Sequence, residues 1–317
     1  MRLLKRILIV IFCLVVLSMA GGYFYFDKKF TPKENDLLVE NTSGDVPIYW
    51  ERNQDSDIAA MLLPVSIQGV GVPLYMQLDC GSPNTIFYSR ALESIALNFP
   101  NSIQYDDSLF QVSLTYSLGQ LRISSPSFDV IEYGKAVALD GEDSVNIIGT
   151  IGADLFEKRI SVMDFKKNTC AFNTTLPANL NKDLLQPLKF AKRKIILPGK
   201  VDGQEFEFLF DSGTSAYSLI TNQKRFEAYA LAESEEVLTQ ANSWGNTLTV
   251  HTKACARQVS FGSSIVPLTD ITYIEGTSAV QEMLMRFSGM EGMIGNKLFW
   301  NKTLILDCAA EKFVVLD

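Results

Sequence analysis

Two different blocks each occur twice in this chain, in the same order, and any fold must place both copies in equivalent surroundings. The first block is "LPVSIQGVGVPLYMQLDCGSPNTIFYS", residues 63–89, echoed by "IILPGKVDGQEFEFLFDSGTSAYSLIT", residues 195–221. Each copy reads as a strand, a Gly-containing turn and a second apolar strand that ends in Asp-x-Gly-Ser/Thr. The second block is "GTIGADLFEKRISVMDF", residues 149–165, which aligns without gaps on "GMIGNKLFWNKTLILDC", residues 292–308. Gly149, Ile151, Gly152, Leu155, Phe156 and Asp164 fall on Gly292, Ile294, Gly295, Leu298, Phe299 and Asp307. A repeat of this length and order reads as a duplicated β lobe.

Between the blocks, short apolar runs alternate with Gly, Pro, Asn and Ser clusters from residue 59 onward, the spacing of an all-β sandwich or barrel. Helical stretches are few; "RALESIAL" (90–97) and "KRFEAYALAESEEVL" (224–238) are the candidates. The expected organisation is an N-terminal membrane anchor or signal peptide (1–26), a linker or stalk (27–58) with room for a short strand at "VPIYW" (46–50), an N-terminal β lobe (59–178) and a C-terminal β lobe (179–317). A 317-residue chain with 47% hydrophobic residues has enough apolar material for two such cores.

Residues 7–26 carry no charge and follow Arg2, Lys5 and Arg6. At about 1.5 Å per residue, this stretch is long enough as a helix to cross a hydrocarbon core roughly 30 Å thick. The flanking basic residues favour a cytoplasmic N-terminus and an extracytoplasmic body, in a periplasm or secretory lumen. Secretion after signal cleavage at Ser18–Ala20 is the alternative. The net charge of −8 and the lack of Lys/Arg clusters in the body argue against nucleic-acid binding. Outside the apolar stretch there are four Cys, at 80, 170, 255 and 308, which allow three disulfide pairings. They form no C-x-x-C pair, so a zinc ribbon or dithiol redox site is not expected.

A single D-x-G-S/T tetrad is an ordinary turn, expected on the order of 0.1 times in a chain of this size. Two copies, each heading a matched repeat, point instead to a paired-carboxylate site. If the lobes pack about a pseudo-twofold axis, Asp79 and Asp211 meet there. Adjacent carboxylates cannot both ionise cheaply, so they share a proton, one serving as general base and the other as general acid. Water between them becomes a nucleophile without metal, cofactor or covalent intermediate. Gly81 and Gly213 let backbone pass close to the acids, and the hydroxyls of Ser82 and Thr214 are positioned to donate to the outer carboxylate oxygens.

These features resemble the pepsin-like aspartic proteases, related to the single-lobe, dimeric retropepsins. The resemblance runs from about residue 60 to the C-terminus and is specific only in the motif blocks. It implies an all-β, bilobal double-barrel acid-protease fold with few short helices, here preceded by one N-terminal transmembrane helix. The implied function is an aspartic-type endopeptidase (a hydrolase) acting on peptide or protein substrates. It further implies Asp79 and Asp211 as the catalytic pair, and action as a monomer because one chain carries both lobes. "FQVSLTYSLGQLRI" is similar to the family's flap hairpin, which places Tyr116 over the cleft as a substrate-binding residue. The residue between Asp and Gly is normally Thr or Ser and braces the two loops. Ser212 keeps that hydroxyl and Cys80 does not, so a weaker brace is expected there. That departure supports the alternative of a catalytically weak or inactive peptide-binding module at the cell envelope. A Cys80 nucleophile would need a base, and His251 is the one His in the chain.

Overall fold

The alternating apolar runs become 22 strands in the computed structural model, which describes residues 21, 22, 28, 31–139, 144–243, 246–275 and 292–317. The chain divides into two bodies, residues 1–34 and 35–317, and both repeats lie in the second. Among the described residues no helix is long and apolar enough to cross a membrane. The expected span, residues 7–26, lies outside the described residues except for Gly21 and Gly22.

The first half contributes β1 (Leu38–Glu40), β2 (Val46–Pro47), β3 (Tyr49–Glu51), β4 (Ala60–Val65), β5 (Leu74–Leu78), β6 (Ile86–Tyr88), α1 (Ser89–Asn98), β7 (Gln111–Leu118), β8 (Leu121–Ile131), β9 (Ile147–Ile151), β10 (Ile160–Asp164) and β11 (Thr169–Phe172). The second half contributes β12 (Gln186–Pro187), β13 (Lys189–Ala191), β14 (Lys194–Val201), β15 (Gln204–Phe210), β16 (Leu219–Ile220), α2 (Gln223–Tyr229), β17 (Val237–Ser243), β18 (Asn246–Phe261), β19 (Ser264–Glu275), β20 (Gly292–Ile294), β21 (Thr303–Asp307) and β22 (Lys312–Leu316).

The two halves are wound alike. In the first, β9 lies between β5 and β6, parallel to β5 and antiparallel to β6, while β6 runs parallel to β8. In the second, β20 lies between β15 and β16 with the same senses, and β16 runs parallel to β19. A third sheet, in the order β12-β22-β21-β10-β11-β2, joins the halves through the antiparallel pair β10–β21. Its register pairs Val162 with Ile305, the residue that Val162 aligns with in the repeat. The pseudo-twofold axis therefore passes between these two residues. Met163, Leu304 and Leu306, beside the axis, are fully buried.

Two sequence expectations change. The segment 27–58, read as a linker or stalk with a short strand at 46–50, is built into the sheets from Leu38 on: β2 and β3 fall at that strand and pair with β11 and β4, and β1, which was not expected, pairs with β8. Val46 and Ile48 are buried, and the Trp50 ring packs on Phe165 and Trp300 at 6.3 and 5.7 Å. The polar residues between these anchors conceal them from a hydropathy reading. The second expected helix stops at Tyr229, where Ala230 turns extended (φ −62°, ψ 144°), and the chain then enters β17.

Truncating Leu304 to Ala beside the axis is expected to lower unfolding free energy by roughly 2–5 kcal/mol, measured by urea unfolding. A loss well under that range would mean the β10–β21 junction is not a packed part of the core.

Candidate active site

β5 and β15 bury alternate residues, as a strand packed on one face must. Each ends in a fully buried apolar residue, Leu78 or Phe210, and the next residue is the Asp of the repeated tetrad. The neighbouring strand fixes that Asp in both halves: Asp79 N–H donates to Ile151 O and Asp211 N–H to Ile294 O, each at 3.0 Å. The chain then turns tightly. Asp79 Oδ1 accepts from the N–H groups of Gly81 (3.0 Å) and Ser82 (3.1 Å), and Asp211 Oδ1 accepts from Gly213 N–H (2.8 Å).

The two turns are locked together by four crossed hydrogen bonds. Cys80 N–H donates to Ser212 Oγ (2.9 Å) and Ser212 N–H to Cys80 Sγ (3.2 Å). In return, the Ser212 hydroxyl donates to Leu78 O (3.0 Å) and the Cys80 thiol to Phe210 O (3.3 Å). The arrangement is symmetric, because Leu78 and Phe210 hold equivalent places in the repeat. The brace expected to be weaker on the Cys80 side keeps its full set of partners, two of them through sulfur. The thiol is fully buried, and burial together with the Asp211 charge pushes it well above the ordinary cysteine range. It is therefore held as a protonated donor rather than a nucleophile. His251 is bound by Glu236 and Glu275.

Each glycine serves the opposite acid. A Cβ on Gly81 would lie 2.5 Å from Asp211 Oδ2, and one on Gly213 would lie 2.5 Å from Asp79 Cγ. Neither position tolerates a side chain, and this absence brings the carboxylates together. The two carboxyl groups are close enough to act on one another's titration. Burial raises both acids. The charge of Asp79 lifts Asp211 further, while the Ser82 and Gly81 N–H groups restrain the rise of Asp79. Two raised and interdependent acids titrate as a pair rather than singly. Asp79 is half-buried and Gly81 exposed, so the pair is reached from that side.

Three of the residues singled out in the sequence are placed differently from expectation. The Ser82 hydroxyl donates to Asn84 O (2.8 Å) and the Thr214 hydroxyl to Asp211 O (2.8 Å). Both brace their own turns, and neither reaches a carboxylate. Tyr116 is not a flap residue over a cleft. It is 1% exposed, with its ring against Phe87 and Phe128 and its hydroxyl near Thr85 but without a well-formed hydrogen bond. The turn after it packs Gly119 against Ser43 O, and the Ser66–Ser117 bridge ties that end of the hairpin to the chain just beyond β4. In the second half, Lys200–Ser260 pairing and the Gly262 turn occupy the same place. The β7–β8 turn therefore lies at the opposite end of the lobe from the acids.

Several supporting residues carry no local sequence signal. Asp154 accepts from Thr85 N–H (2.7 Å) and from its hydroxyl (2.8 Å); burial lifts its carboxyl to about 6. The second half does this with Ser218 on Asp270, which pairs with Lys297 at 2.9 Å. Asn296 donates to Ser212 O (3.1 Å) and Ser215 Oγ (2.7 Å). Arg193, from the second half, binds Glu157 at 3.1 Å and donates to Asn84 Oδ1 beside the first turn. The four Cys outside the apolar stretch are buried separately as free thiols. Among the described residues no cluster of side chains suits a metal ion.

No family model and no curated protein matches this chain. Among solved structures it is similar to an aspartic proteinase from Irpex lacteus, with a TM-score of 0.45 and 12% identity over 87% of this chain and 97% of that one.

Ser212→Ala strands Cys80 N–H and Leu78 O in the interior and is expected to cost roughly 1–3 kcal/mol for each, read by urea unfolding. A neutral result would mean the crossed bonds do not hold the turns. The acid pair also fixes a pH dependence. Its folded-state values are raised, so the native chain holds more protons than the unfolded one above the ordinary Asp value of about 3.9. Stability therefore falls as pH rises from about 4 through the raised values. Asp211→Asn should flatten this fall above about pH 4 in unfolding measurements, and an unchanged slope would contradict the shared proton.

Proposed function

We propose that this chain is an aspartic-type endopeptidase of the pepsin-like, bilobal kind, cleaving peptide bonds with water activated between Asp79 and Asp211. The observation that carries the reading is the adjacent, buried acid pair at the junction of two matching halves, each acid pressed by the glycine of the other. Ionised Asp79 takes a proton from water, and the oxygen adds to the peptide carbonyl carbon. Asp211 gives its proton to the carbonyl oxygen, forming a neutral tetrahedral diol. Proton transfer to the amide nitrogen then accompanies C–N cleavage, releasing a carboxylic acid and an amine and restoring one proton to the pair. Burial makes this exchange effective, since both acids work in surroundings that disfavour a second charge.

Both acids come from one chain, which supports action as a monomer. The uncharged stretch 7–26, after Arg2, Lys5 and Arg6, supports N-terminal membrane anchorage with the catalytic part on the extracytoplasmic side. The complete set of crossed bonds at Cys80 favours an active enzyme over a binding module.

Asp79→Asn and Asp211→Asn should each lower kcat for peptide cleavage by roughly 10²–10⁴-fold while leaving KM within about twofold. If the parent chain cleaves no peptide of a diverse library between about pH 3 and 8, the reading is wrong.

A further inference from the structure

The two halves differ in one large feature. β7 has 8 residues and β18 has 16, although their turns at Gly119 and Gly262 are equivalent. The extra length of β18 pairs with β17 to form a hairpin for which the first half has no counterpart among the described residues. Among the described residues β17 is the terminal strand of its sheet, so its outer edge presents backbone N–H and C=O groups suited to an extended peptide. It also comes near the catalytic loop: the Thr239 side chain is close enough to hold down the titration of Tyr217, which lies six residues after Asp211.

The root of this hairpin is held by an unusual cluster. His251 sits in β18 with Nδ1 2.6 Å from Glu236 Oε1, just before β17, and Nε2 3.2 Å from Glu275 Oε2, at the end of β19. Its ring stacks on Tyr273 of β19 at 4.4 Å and 22°. Lys253, also in β18, lies 3.6 Å from Glu236. From α2, Phe226 packs on Tyr273 at 5.3 Å, and Glu227 faces the same tyrosine. A neutral imidazole has one N–H and one lone pair, so it cannot donate to two carboxylates. Both contacts require the imidazolium.

We propose that His251 is a positioning residue for the peptide-cleaving site: as an imidazolium bridging Glu236 and Glu275, it fastens the β17–β18 hairpin at its root and sets β17 beside the catalytic loop to receive substrate. This rests on the proposed peptidase reading. The two carboxylates raise the affinity of His251 for its proton. A raised folded value means the fastening is complete below the ordinary histidine value of about 6.5 and is lost as pH rises through the folded value. The hairpin is therefore set at the acidic side of neutrality.

The test is hydrogen exchange of the β17 amides in the full chain, corrected for intrinsic rates, at about pH 5 and pH 8. The parent should lose at least about tenfold protection at the higher pH, while His251→Gln and Glu236→Gln should show the lower protection at both. In peptide cleavage, KM of the parent should rise over the same pH interval. KM of His251→Gln should be high throughout, and the kcat profile set by the Asp pair should be shared. Protection in β17 that ignores both pH and His251→Gln overturns the inference, whatever the chain does to peptides. Protection that responds as expected, in a chain whose Asp79→Asn form cleaves as fast as the parent, leaves the fastening in place and removes the peptidase reading instead.

Discussion

Four hydrogen bonds that Cys80 and Ser212 make across the two turns, two with each other and two with Leu78 O and Phe210 O, fix the geometry on which the site depends. They join the only two turns in which the repeated acids occur, and they do so through fully buried atoms that have no water to fall back on. With the turns locked, Gly81 and Gly213 are pressed against the opposite carboxylates, and the acids have no room to separate. Proximity and burial then dictate the chemistry, because two negative charges in that space cost more than retaining a proton. Sulfur takes the part of a hydroxyl here without loss of a partner, since Cys80 needs only to accept one N–H and donate to one carbonyl.

The rest of the scaffold delivers the turns to one point. The parallel pairs β5–β9 and β15–β20 set each Asp N–H on an isoleucine carbonyl, and the β10–β21 ladder aligns the halves with Val162 opposite its own counterpart. Symmetry at the ladder and symmetry at the acids are thus two views of the same axis. Arg193 adds an unsymmetrical tie, reaching from the second half to Glu157 and Asn84 of the first.

Much of this was legible in the sequence because it is duplicated. The D-x-G and I-G blocks name the strands, the turns and the acids, and their order names the two lobes. Other features depended on register, which local patterns do not encode. A tyrosine before a glycine turn suits either end of a hairpin, and the Ser66–Ser117 pairing shows that the turn after Tyr116 lies at the far end. The strands at 38–51 are short and surrounded by polar residues, so their anchors become visible only against Phe165 and Trp300. Ser82 and Thr214 have the right groups to reach a carboxylate, but the tightness of each turn brings a backbone oxygen closer. Asp154, Arg193 and Asn296 gave no signal, since their partners are distant in sequence or belong to the other half.

The central claim is that Asp79 and Asp211 hold one proton in common. Carbon-13 NMR of the aspartate carboxyl groups across a pH titration tests it directly, with Asp79→Asn and Asp211→Asn used for assignment. The account predicts two resonances that move together in two steps, one of them well above the ordinary aspartate range, and a single step in each variant. Two resonances that titrate independently near the ordinary value of about 3.9 would contradict it.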